Sequence, residues 1–159
     1  MPTTKENIGN LLDALYLEML DLIEQQTVCR VNIERLMNNG QLMLAKTRYI
    51  QGSQTICSAQ LPTENSNTFS ALCEVVQQQN DTKISNVEFT SIRHTVDKEK
   101  EFVEPMQWFT SLPPSSLRSA SELFKKCLDF VLESANIQRE LIAVMKHIET
   151  LKRHKEITI

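Results

Sequence analysis

A repeat of apolar residues with a period of seven occupies both ends of this chain and is missing from its middle, and it limits the possible folds more than any other feature. Near the start, Ile8, Leu12, Leu15, Met19, Leu22, Cys29, Ile33, Leu36, Met43 and Ile50 recur at alternating steps of four and three or at whole repeats. Toward the end, Ala120, Leu123, Cys127, Phe130, Ile137, Leu141, Val144, Ile148 and Leu151 do the same. This spacing keeps one apolar seam of an α-helix turned toward a partner helix.

The implied fold class is mainly α: a long antiparallel, coiled-coil-like helical hairpin with a small irregular or β-hairpin insertion between its two helices. Thr3 and Glu6 have the spacing of a capping box, in which each side chain satisfies a backbone group of the other at a helix start. The first helix is therefore expected from about Thr4 to about Gln51, a rod of roughly 70 Å at the α-helical rise. Asn38, Asn39 and Gly40 are its weak point, and a rod kinked or broken there is the main alternative, because a helix-interior glycine costs up to about 1 kcal/mol relative to alanine. Gly52 and Ser53 end it.

Residues 52–104 are loop-like, with the Pro, Asn, Ser and Thr content of turns around Pro62 and Asn65. Within them Phe69 to Val76 and Lys83 to Ile92 carry Val, Ile and Phe and flank the turn-like Gln79, Asn80, Asp81 and Thr82, which predicts a small hairpin. The mixed charges from Asp97 to Glu101 read as solvated linker. A different texture begins at Pro105, and Pro113, Pro114, Ser115 and Ser116 form a helix start, since proline is tolerated in a first turn and serine caps one. The second helix is expected from about Ser115 to about His154, and the whole chain, residues 1–159, as one domain.

The two seams share their irregularities. The first is interrupted at Gln26 and Gly40, fourteen residues apart, and the second at Ala120 and Ser134, also fourteen apart. Antiparallel folding brings these defects near one another when paired residue numbers sum to about 160, within one helical turn. Ile33 then lies by Cys127, Met19 by Leu141 and Leu12 by Ile148. A second apolar row on the later helix, Leu117, Phe124, Leu128, Val131, Ala135, Ile142 and Met145, together with Tyr16, Leu20 and Ile23 on the first, exceeds what one seam can bury. That surplus either covers the middle segment or meets a partner.

Several function classes are excluded or disfavoured. A net charge of −3 argues against general nucleic-acid binding, which needs a clustered excess of Lys and Arg. The apolar run from Leu11 to Ile23 contains Asp13, Glu18 and Asp21, so it is no bilayer-spanning segment, and the N-terminus lacks the pattern of a secretory signal. Cys29, Cys57, Cys73 and Cys127 have neither zinc-ligand nor disulfide-framework spacing, and Cys29 and Cys127 fall on the seams, where a thiol packs as a small apolar group. His94, His147 and His154 stand apart, and no phosphate loop or hydrolase motif is present. No enzyme activity, cofactor or metal is expected. Lys152, Arg153, His154 and Lys155 offset the helix dipole at the C-terminal end, with attraction to an anionic membrane as the other reading.

Two stretches go beyond a generic hairpin: LMLAKTRYIQG, Leu42 to Gly52, and PMQWFTSLPPSSLRSASELF, Pro105 to Phe124. They resemble the coiled-coil domain-containing protein 115 family, animal counterparts of a fungal vacuolar-ATPase assembly factor. The pattern from Trp108 to Arg118 is the most specific part. The resemblance covers both helical ends and carries nothing over to the central region. It implies a non-enzymatic assembly chaperone for the membrane sector of the proton-pumping vacuolar ATPase. Such a factor works at the cytosolic face of the endoplasmic reticulum with a transmembrane companion, and is linked to the ER-Golgi intermediate compartment, endosomes and lysosomes. Partners on this reading are the companion and pump subunits, with membrane association through them and no nucleic acid. The residues alone fit equally a structural coiled-coil tether or trafficking adaptor. Candidate contact residues are Lys46, Arg48 and Tyr49 at the hairpin tip, with Trp108, Phe109, Leu112, Leu117 and Arg118 opposite. For Trp108 and Phe109 the competing role is a local cluster that anchors the linker.

Overall fold

The structure, a computed structural model, describes residues 4–52, 54–97 and 99–157. The expected capping box at Thr3, the stop at Ser53 and Lys98 of the charged run lie outside them. Helix α1 spans Thr4–Gln51 and α2 spans Ser115–Ile157. Between them, β1 (Cys73–Gln79) and β2 (Val87–Arg93) pair in a two-stranded antiparallel sheet, with short 3₁₀ turns at Ser58–Gln60 and Pro105–Trp108. This is the helical hairpin with a β-hairpin insertion that the heptads and the central strand signals predict.

The unbroken first helix stands, and the strand bounds shift. α1 does not break at Gly40: the helix is continuous, and a Cβ there would stand 2.8 Å from the Phe124 ring. The glycine serves close helix packing. Both strands begin four residues later than expected, because the turn runs from Asn80 to Asn86. Asn80 caps it by accepting the Thr82 amide at 3.1 Å, and further backbone bonds run from Lys83 N to Asn80 O and from Asn86 N to Lys83 O. The charged run is solvated at Glu99, Lys100 and Glu101, as expected, and it is closed at its ends, since Asp97 and Phe102 exchange both backbone hydrogen bonds and Glu101 takes φ 62°.

The chain forms two compact units. The first comprises Met1–Val31, Gln77–Phe89 and Val131–Ile159. Its seam buries Leu12, Leu15, Leu22 and Cys29 of α1 with Ile137, Val144 and Ile148 of α2, each such aliphatic side chain contributing about 1.5 to 3 kcal/mol. The polar interruption is paired: Gln26 Nε2 donates to Ser134 Oγ at 2.9 Å, and the residue numbers sum to 160 as the matched defects require. Burial, with the nearby Glu133 carboxylate, pushes the Cys29 thiol pKa up.

The hairpin turn is fastened to α2 in this unit by side chains that replace a missing strand. Glu140, itself buried, accepts the amides of Ile84 at 2.7 Å and Ser85 at 3.1 Å. Burial alone would raise its pKa, but the bonds from Ser85 and Ile84 outweigh that and hold the carboxyl below its ordinary value. Asn136 accepts from Phe89 N at 2.7 Å and donates to Phe89 O at 2.9 Å, so the outer edge of β2 is satisfied as a neighbouring strand would satisfy it. Arg139 lies over the Phe89 ring and Lys152 over that of Tyr16.

The second unit comprises Asn32–Val76 and Thr90–Phe130. Here Cys127 Sγ reaches the Ile33 carbonyl at 3.8 Å, again at a sum of 160. Ala120 and Leu117 are buried beside the Gly40–Phe124 contact. Arg93 binds the Lys125 carbonyl at 3.2 Å and the Asp129 carboxylate, which ties the base of the sheet to α2. Lys125 bridges Glu104 at 3.1 Å and Glu122 at 3.3 Å; burial opposes its charge, yet these partners raise its pKa overall. Of the second apolar row, Leu128 in this unit and Val131, Ile142 and Met145 in the first stay about half exposed.

Candidate interaction surface

The seam of the second unit ends in a hydroxyl pair. Thr47, fully buried, donates to the Met43 carbonyl at 2.8 Å, so the 2.7 Å contact between Thr47 Oγ1 and Ser116 Oγ uses the Ser116 proton. This joins the last turn of α1 to the first turn of α2. Past that pair the apolar seam is not continued. Ile50, read as its final rung, is instead 64% exposed.

Around this joint stand most of the expected contact residues. Tyr49 is 91% exposed and Leu112 is 84% exposed. Lys46, Arg48 and Arg118 are exposed, with Arg118 Nε anchored to the Pro113 carbonyl at 2.9 Å. Leu117 does not belong with them. At 4% exposure it is taken up by the core, one helical position from the outward-facing Arg118.

Trp108 and Phe109 are half-buried. The Trp108 ring meets Phe69 edge-on at 5.1 Å and lines a groove with Leu61, Pro62 and Val103. The Phe109 carbonyl accepts from Gln60 Nε2 at 3.2 Å. Both residues thus hold the loop after α1, leaving Lys46, Arg48, Tyr49, Leu112 and Arg118 as the outward set.

Sequence reading missed Leu42, 64% exposed, which shares a face of α1 with Lys46, Tyr49 and Ile50 at steps of four, seven and eight. The periodicity was available, but it is masked by the stronger seam beside it. It also missed that Leu17, Val28 and Val31 join Leu20 and Ile23 as exposed apolar side chains of α1 in the first unit. Among the described residues, no group of three or more His, Cys, Asp or Glu could hold a metal ion, and no helix is long and apolar enough to cross a membrane.

No family model matches the chain. It is similar to a curated protein of Danio rerio, "Vacuolar ATPase assembly protein VMA22", at 22% identity over 182 aligned positions, covering 89% of this chain and 87% of that protein. The relative supports the resemblance to the coiled-coil domain-containing protein 115 family that the two helical-end stretches carry, and the likeness extends well beyond those stretches.

Proposed function

We propose that this chain is a non-enzymatic assembly factor for the vacuolar proton-pumping ATPase. Its place of action is the membrane sector of the pump, at the cytosolic face of the endoplasmic reticulum, together with a transmembrane companion. The observation that carries the reading is that similarity to an assembly protein spans nearly nine tenths of both chains, so it is not confined to one coiled-coil segment. An assembly factor must cover partner surface transiently, and exposed Leu17, Leu20, Val28 and Val31 of the first unit provide apolar area for it.

The rival reading, a coiled-coil tether, needs a seam left free for another chain. In each unit that seam is filled from within, by Gln26 on Ser134 and by Ile33 beside Cys127. Immunoprecipitation of the chain from cells, with identification of the proteins that accompany it, tests the proposal. Pump membrane-sector subunits and a transmembrane protein of the endoplasmic reticulum are expected. Recovery of trafficking coiled-coil proteins with no pump component would overturn it.

A further inference from the structure

The second unit carries its most exposed apolar side chains together with the exposed cations Lys46, Arg48 and Arg118 at the Thr47–Ser116 joint. Residues 35–63 and 105–121 contain Arg35, Lys46, Arg48 and Arg118 and no Asp or Glu at all, in a chain whose net charge is −3. All four cations are exposed. Leu42, Lys46, Tyr49 and Ile50 form one outward face of the α1 end, and Leu112 stands four residues before Ser116 at the other side of the joint.

We propose that this end of the helix pair docks directly on an anionic bilayer surface, with Leu42, Tyr49, Ile50 and Leu112 entering the headgroup boundary and Lys46, Arg48 and Arg118 facing lipid phosphates. The chemistry matches on both counts. A tyrosine ring has an apolar body and a polar tip suited to the membrane interface, and Lys and Arg stems lie along apolar surface while their charged heads reach outward. Apolar insertion and attraction to anionic headgroups act together in peripheral binding. An acidic protein would satisfy the charge as well. A bilayer, however, uses the two features together, since the apolar side chains Tyr49 and Leu112, at 91% and 84% exposure, can enter the headgroup boundary while the cations beside them meet lipid phosphates. Side chains that stand free suit a fluid boundary that closes around them.

The inference goes beyond the assembly reading and does not depend on it. The test uses the purified full chain and vesicles of phosphatidylcholine with or without phosphatidylserine, measured by co-sedimentation. Binding is expected only with phosphatidylserine and is expected to weaken as salt rises. The double substitution Lys46→Glu, Arg48→Glu should lower partitioning about tenfold or more, since each reversal removes an attraction and adds a repulsion. Tyr49→Ser with Leu112→Ser should lower it while circular dichroism stays unchanged, because neither side chain is packed. Arg153→Glu, in the other basic cluster, should leave it unaltered.

Three results would overturn the proposal: no binding to phosphatidylserine vesicles, equal binding to neutral ones, or loss of binding with Arg153→Glu but not with the substitutions at the joint. Capture of an acidic protein by the same residues, without vesicle binding, would also overturn it. No pump component is present in the assay, so failure here is separate from failure of the assembly reading.

Discussion

Gly40→Ala is the most informative single change to the packing, because its sign depends on one neighbour. In an isolated helix alanine is favoured over glycine by about 1 kcal/mol. Here the new Cβ would lie 2.8 Å from both Cε1 and Cζ of Phe124 and 3.2 Å from Cδ1, so the ring must move. Overpacking of this kind costs about 1 to 3 kcal/mol. The net expectation is a destabilisation of roughly 0 to 2 kcal/mol, or a fall in melting temperature of up to about 8 °C for a chain of this size. In a Phe124→Ala background the clash disappears and only propensity remains. There Gly40→Ala should stabilise by about 1 kcal/mol, giving a coupling energy of about 1 to 3 kcal/mol in the double-mutant cycle. Urea unfolding monitored by circular dichroism measures all four variants. If Gly40→Ala destabilises equally with and without Phe124, the close approach of the ring is not what keeps glycine there, and the reasoning fails.

Other expectations arise from buried polar groups. Glu140→Gln keeps the shape but removes the charge that binds two amides, and should cost about 1 to 3 kcal/mol, with faster hydrogen exchange at Ile84 and Ser85. Because the folded pKa of Glu140 lies below its unfolded value, its contribution is present above the ordinary carboxylate range of about 4.3 and is lost as pH falls through the folded value. Acid titration of stability should therefore be flatter in the Gln variant. Ser134→Ala leaves Gln26 Nε2 unpartnered in the seam and should cost about 1 to 3 kcal/mol, whereas Gln26→Leu with Ser134→Ala should be near neutral or stabilising; equal losses from the two in thermal unfolding would contradict the pairing.

Much of this fold was legible because heptad periodicity reports directly on which residues face each other. The fourteen-residue spacing of Gln26 and Gly40 against Ala120 and Ser134 even indicated the register, since a polar or small residue in a seam is tolerated mainly where the partner accommodates it. What could not be read was how a defect is accommodated. Gly40 looks like a break in isolation and becomes a socket only when Phe124 arrives from a residue 84 positions later. The strand boundaries were displaced for the same reason, as Glu140 and Asn136 complete the hairpin from a distant helix. At the candidate surface, Lys46, Arg48, Tyr49, Leu112 and Arg118 were identifiable at the tip. Leu117 and Ile50 were assigned opposite to their exposure, because the level at which a seam stops is set by Thr47 meeting Ser116 and not by the apolar pattern.

The antiparallel register within one molecule underlies both the joint at Thr47 and Ser116 and the surface it exposes. Its most direct test is oxidation of a variant carrying Ile33→Cys beside the native Cys127, with Cys29→Ala, Cys57→Ser and Cys73→Ser removing the other thiols. Disulfides form only between thiols whose backbones are already close. The account predicts a cross-link that leaves the chain monomeric on a non-reducing gel and joins the peptides around residues 33 and 127. Failure to cross-link, or cross-linked dimers in place of closed monomers, would contradict it.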